Sequence, residues 1–143
     1  MKNAKLFLRE VRNEQKEIIK LEQKLEYLRK SILPGGIRYD RDKIQKSPDD
    51  KITELMAEIG DLEMELDTDV KKLAKDIVTA RRMIRGLSKS THRTVMTSYY
   101  LPDIEPGDEL PTWGDVAASM HYSEPRVLHI HGEALKELND DIK

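Results

Sequence analysis

Apolar residues recur along the first part of the chain at alternating steps of three and four. Ile18, Leu21, Leu25, Leu28 and Ile32 hold that spacing, with Val11 one heptad before Ile18. Lys, Glu, Gln and Arg fill most of the other positions. A narrow apolar seam between wet flanks is that of a coiled coil, and it predicts one helix over residues 3–32. Leu33-Pro34-Gly35-Gly36 ends it, because proline cannot extend a helix and paired glycines make a reversal cheap. A polar connector over 37–46 follows. A second seam then runs through Ile52, Leu55, Ile59, Leu62, Leu66, Val70, Leu73, Ile77, Ala80, Ile84 and Leu87. Its start is marked by Ser47 as cap, Pro48 at the first helical position, and Asp49 and Asp50 beside the positive end of the dipole. Two successive steps of four, ending at Val70, read as a stutter.

Two such helices separated by a reversal fold back on each other, giving an antiparallel coiled-coil hairpin over residues 1–87 with its loop at 33–48. Ile19, Met56, Met64, Val78 and Met83 lie off the seam. Two readings are open: a second contact face that builds a homodimer as a four-helix bundle, or half-exposed packing at the hairpin's edge.

The pattern changes at Gly86-Leu87-Ser88-Lys89-Ser90. Ser88 or Ser90 can cap a helix over 91–101 whose buried face is Val95, Met96, Tyr99 and Tyr100. Residues 102–111 form an acidic, turn-rich insert. Thr112 then caps a short helix from Trp113 to Met120, a break follows at His121-Tyr122, and Ser123 caps another helix. Val127, Ile130, Ala134 and Leu138 lie on one face of the latter. Two helices joined by about three residues, the second freshly capped, form a helix-turn-helix. Residues 88–143 are therefore a small three-helix domain, with Val95, Tyr99, Leu101, Trp113, Val116, Met120, Val127, Ile130 and Leu135 as its core. The predicted fold class is all-α: a long antiparallel coiled-coil helical hairpin followed by a small three-helix helix-turn-helix domain.

The spacing of Thr112, Val116-Ala117, Met120, Tyr122-Ser123, Arg126-Val127, Ile130 and Ala134-Leu135 resembles, without a gap, region 4 of sigma-70-type factors. It is similar in particular to small phage regulators that place such a module after a coiled coil. These are the late-gene transcription activators of the ArpU and RinA kind and their sigma-like prophage relatives. The ending Ile130-His131-Gly132-Glu133-Ala134-Leu135 looks especially like that group. The resemblance covers the C-terminal third of the chain and implies a non-catalytic phage or prophage transcription regulator. Such a protein works in the cytoplasm of a bacterial host, binds double-stranded promoter DNA and can touch RNA polymerase. In the family, the first turns of the second helix carry basic residues for phosphates and base edges. Those positions here are Glu124, Pro125, Arg126, Leu128 and His129, so the chain departs from the pattern at Glu124 and Leu128. His121 stands where glycine is common, because the turn often needs a left-handed residue.

Composition narrows the class further. With 36% charged and 5% aromatic residues, a thick globular core is excluded and long helices with wet faces are favoured. The absence of cysteine excludes disulfides and thiolate zinc sites and fits a reducing cytoplasm. No apolar run matches a bilayer and the N-terminus lacks a signal-peptide hydrophobic region, so a soluble protein without a membrane partner is expected. The net charge of −2 is unevenly spread. Eight basic residues between Lys71 and Arg93 face one acid, whereas three basic residues face ten acids from Thr94 onward.

The candidate DNA-reading residues are Arg126, His129 and Glu133 on one helix face, with Lys89, Arg93 and the Arg81-Arg82-Arg85 cluster gripping the backbone. The competing reading makes these ordinary solvated charges. The protein is then a structural or adaptor coiled-coil protein whose degenerate helix-turn-helix binds other proteins. A third reading confines nucleic-acid binding to the 71–93 cluster and makes it non-specific. No metal is expected. His129 and His131, two apart on a helix, point in opposite directions, and His129 with Glu133 lacks a third ligand nearby in sequence. His131 reads as a packed or edge residue, His92 and His121 as surface ones. There is no phosphate-cradling glycine loop, nucleophile elbow or acid–base pair, so neither an enzyme nor a cofactor is expected.

Overall fold

The computed structural model describes residues 3–32, 48–105 and 107–142, and all regular structure among them is helical. The helices are α1 (Ala4–Ile32), α2 (Pro48–Arg85), α3 (Ser90–Tyr100), α4 (Trp113–Met120) and α5 (Glu124–Ile142). The expected cap at Ser47 and the connector lie outside the described residues. The chain divides into two compact units, one of residues 17–71 and one of residues 1–16 with 72–143. This division does not fall at the expected 87/88: the start of α1 and the end of α2 group with α3, α4 and α5.

In the 17–71 unit the end of α1 packs on the start of α2, running the opposite way. Leu25, Leu28 and Ile59 are buried, with Ile32, Leu55, Leu62 and Leu66 against them. Lys24–Glu58 (3.8 Å) and Arg29–Glu63 (3.1 Å) cross between the helices, but both pairs are wet and add little. The seam differs from the expected one at Val70, which is 44% exposed, while Asp69 is half-buried. At roughly 100° per residue, seven steps from Leu62 return to within about 20° of the stripe and eight overshoot it by about 80°. A polar residue therefore takes the seam position and the valine turns outward. Met56 and Met64 are exposed.

The other unit explains where the start of α1 goes. Ala4, Leu8 and Val11 share a core with Ala80, Ile84 and Leu87 of the α2 end, Met96 and Tyr100 of α3, and Ala134 and Leu138 of α5. Met83, expected off the seam, packs against this core, whereas Val78 is exposed. Two polar side chains of α1 are buried here as well, Arg12 and Gln15. Both find partners at the end of α3, whose last carbonyls have no acceptor role inside the helix. Arg12 donates through Nη1 to the Tyr99 carbonyl (2.7 Å) and through Nη2 to the Pro111 carbonyl (2.5 Å). Gln15 donates through Nε2 to the Tyr100 carbonyl at 2.7 Å. The Arg12 guanidinium also lies 3.7 Å from the Tyr99 ring centroid. Trp113 stacks on Tyr99 at 3.6 Å and 10°, so Tyr99 is covered on both faces. The Ala4 N–H donates to Asn139 Oδ1 at 2.9 Å, tying the first turn of α1 to α5.

Neither expected serine caps α3. Lys89 holds the cap position without a side-chain bond. Ser88 instead gives its hydroxyl and its backbone N–H (3.0 Å) to the Glu137 carboxylate on α5. That pair of bonds, the hydroxyl's first, holds Glu137 below the ordinary carboxylate range.

Candidate nucleic-acid interface

The last two helices are built by local signals that operate as expected. Thr112 Oγ1 accepts from the Asp115 N–H at 3.1 Å, and Asp115 Oδ2 accepts from the Thr112 N–H at 2.8 Å, closing a capping box at the start of α4. The Thr112 backbone bond lowers the Asp115 carboxyl pKa. His121 ends α4 in the left-handed region at φ 60 and ψ 36. Its N–H reaches the Ala118 carbonyl (3.2 Å), and the Tyr122 N–H reaches that of Ala117 (3.0 Å). These two bonds make a Schellman turn with histidine at the position glycine usually fills. Ser123 Oγ then accepts from the Arg126 N–H at 3.3 Å, starting α5. Val116 and Ala117 of α4 meet Val127 and Ile130 of α5 over Val95 of α3, with Tyr99, Trp113, Met120 and Tyr122 around them. Leu135 and Leu101, expected in this group, pack on the core shared with α1 and α2.

Arg126 stands exposed at the start of α5, its guanidinium 4.1 Å from the Tyr122 ring centroid. Tyr122 is the residue the sequence reading missed here, although an aromatic four residues before an arginine is a legible pairing. His129 Nε2 meets Glu133 Oε1 at 2.6 Å, and Glu133 Oε2 meets His92 Nε2 of α3 at 3.2 Å. His92 is thus buried between helices, not on the surface as expected, because it closes the α3–α5 contact through Glu133. Partial desolvation pushes the Glu133 carboxyl up, but His129, His92 and Lys89 together outweigh it and leave it lowered. Glu133 is accordingly an interhelical tie as well as the group that orients His129.

The backbone-gripping candidates separate. Arg93 is half-buried and donates to the Leu87 carbonyl just beyond the end of α2. Lys89 occupies the N-cap of α3. Arg81, Arg82 and Arg85 are exposed on α2, turned away from the buried Ala80 and Ile84. His131 packs against Trp113, with ring centroids 4.5 Å apart. Burial and the Lys5 charge pull its pKa down to about 4. Burial lifts Tyr100 to about 12, so the phenol donates to a neutral His131 Nε2 across 2.7 Å.

Among the described residues no three His, Cys, Asp or Glu side chains form a metal-holding group. None of the described helices is long and apolar enough to cross a membrane. The class the fold defines is an all-α protein, in which α4 and α5 pack on each other across the turn at residues 121–123. No family model, curated protein or solved structure matches the chain.

Proposed function

We propose that the chain is a non-catalytic, DNA-binding transcription regulator of the phage or prophage kind resembled by its C-terminal third. In this reading α5 enters the major groove of promoter DNA in a bacterial host. The observation that carries the proposal is Arg126, exposed at the first turn of α5, stacked on Tyr122 and preceded by the left-handed His121 turn. A guanidinium already stacked on a ring loses little freedom on binding, and its in-plane donors suit bidentate contact with a guanine edge. His129, held by Glu133, is the second groove-facing donor. The exposed Met56 and Met64 favour a contact of the 17–71 unit with a second copy or with RNA polymerase.

The test is selection of bound sequences from a random duplex pool, followed by mobility shift at low and moderate salt. Arg126→Ala is expected to weaken specific binding by about 1–3 kcal/mol and to relax preference at one base pair. If no duplex binds even at low salt, the adaptor reading takes its place. That reading is favoured by the acids Glu124, Glu133 and Glu137 on α5.

A further inference from the structure

The helix-turn-helix itself is poor in cations, and the sequence reading sought phosphate contacts on α2. A cationic row of the same compact unit stands on α1. Lys5, Arg9, Arg12 and Lys16 follow one another at i, i+4, i+7 and i+11, inside an arc of about 60° on the helix. Glu10 and Glu14 fall on the opposite side, and Glu14 accepts from Lys72. The four cations line an open groove of about 430 Å³ together with Tyr99, Tyr100 and Trp113, and with Leu128 and His131 of α5. Among the described residues no carboxylate lines it.

Burial divides the labour within the row. Arg12 is bound to the carbonyls of Tyr99 and Pro111, whereas Lys5, Arg9 and Lys16 are exposed. The ring faces are already occupied: Tyr99 lies between Arg12 and Trp113, and Trp113 also meets the His131 ring. A base therefore has no free aromatic face to stack on, which disfavours a single strand or a free nucleotide. What remains is fixed positive charge beside Leu128, one residue from His129. From Lys5 to Lys16 the row is about 16 Å long at 1.5 Å per residue. It can face several consecutive phosphates, which come about every 3.4 Å of axis on one strand.

We infer that this face of α1 is a phosphate-binding wall, in which Lys5, Arg9 and Lys16 grip the backbone of the duplex that α5 enters. The inference rests on the DNA-binding reading above. It supplies from another helix the charge that Glu124 and Leu128 fail to supply on α5, and it gives the α1 start, fastened by Arg12 and Gln15, a function besides packing.

The experiment uses the full chain and its K5Q/R9Q/K16Q variant, with R81Q/R82Q/R85Q for comparison, on a selected duplex and a random one across a salt series. Circular dichroism and melting establish that the exposed substitutions leave the fold intact; if the triple variant melts early, Arg9→Gln alone is read for a slope change of about one. The expected result is a slope of log affinity against log salt reduced by about 2–3 and an affinity lowered about 100-fold or more near 0.1 M salt. Both duplexes should lose equally. The α2 variant should change the slope less. If wild type binds and the α1 variant keeps its slope, the inference is overturned while the regulator reading stands. If wild type binds no duplex, both fall. An α1 variant that keeps duplex binding but loses binding to oligoglutamate assigns the groove to an acidic protein partner, and also overturns the inference.

Discussion

Arg12→Ala is the perturbation that most directly tests how the start of α1 is held to α3 and the segment before α4. The guanidinium joins α1 to the last turn of α3 and to the residue before Thr112, through carbonyls at 2.7 and 2.5 Å. Hydrogen bonds from a charged donor contribute about 1.5–3 kcal/mol each, and a partly desolvated cation over a ring about 0.5–2 kcal/mol. The sum overshoots, because removing the arginine also relieves the cost of keeping a charge only 8% exposed. A net loss of about 3–5 kcal/mol is expected, a large share of an ordinary domain's stability. Arg12→Lys keeps the charge but loses the planar fork whose two nitrogens each meet one carbonyl, so it should lose about half as much. Arg12→Met keeps the stem and leaves both carbonyls without this donor, separating hydrogen bonding from packing. Urea titration of the full chain reads the effect through Trp113, the single tryptophan, which is stacked on the ring that Arg12 covers. A loss below about 1 kcal/mol for Arg12→Ala would refute the reasoning, since surface substitutions alone commonly cost about half that.

Two further predictions concern histidines. The His131 pKa falls from 6.5 to about 4 on folding, so between those values the unfolded chain takes a proton that the folded one refuses. The contribution is complete above about pH 6.5 and is lost as pH falls toward 4. Lys5 of α1 bears directly on the ring, Tyr100 of α3 donates to it, and Arg9 and Arg12 of α1 act on Tyr100. A fully dry site would give about 3 kcal/mol, reduced by solvent access to about 1–2 kcal/mol. Urea midpoints at pH 7 and 4.5 should show that loss in wild type and a smaller one in His131→Gln; equal losses would dismiss the account. His121→Gly should stabilise the chain by up to about 1 kcal/mol by relieving a left-handed non-glycine residue, and a lower melting temperature would contradict the turn geometry.

The α4–turn–α5 segment was legible because its signals are local. Thr112 and Asp115 lie three residues apart, the His121 turn spans one residue, and Val127, Ile130, Ala134 and Leu138 repeat at helical spacing. The apolar seams of α1 and α2 were legible too, except at residues 69 and 70. What escaped were residues whose partners lie far along the chain. Arg12 and Gln15 look like solvated flank positions until the open carbonyls of Tyr99 and Tyr100 are brought to them, 87 and 85 residues away. His92 looks like a surface histidine until Glu133 reaches it from α5. Val70 fitted a list of apolar residues better than it fits the 3.6-residue turn.

Periodicity and capping chemistry thus determined on their own that this chain is helical, where most of its helices begin and end, and that α4 and α5 meet across a tight turn. Only the tertiary structure decided that the first sixteen residues belong to the C-terminal unit and that a row of cations on α1 flanks α5. The physical reason is that helix formation is encoded within a few residues. The pairing of buried donors with exposed helix-end carbonyls depends on which distant segments the common core draws together.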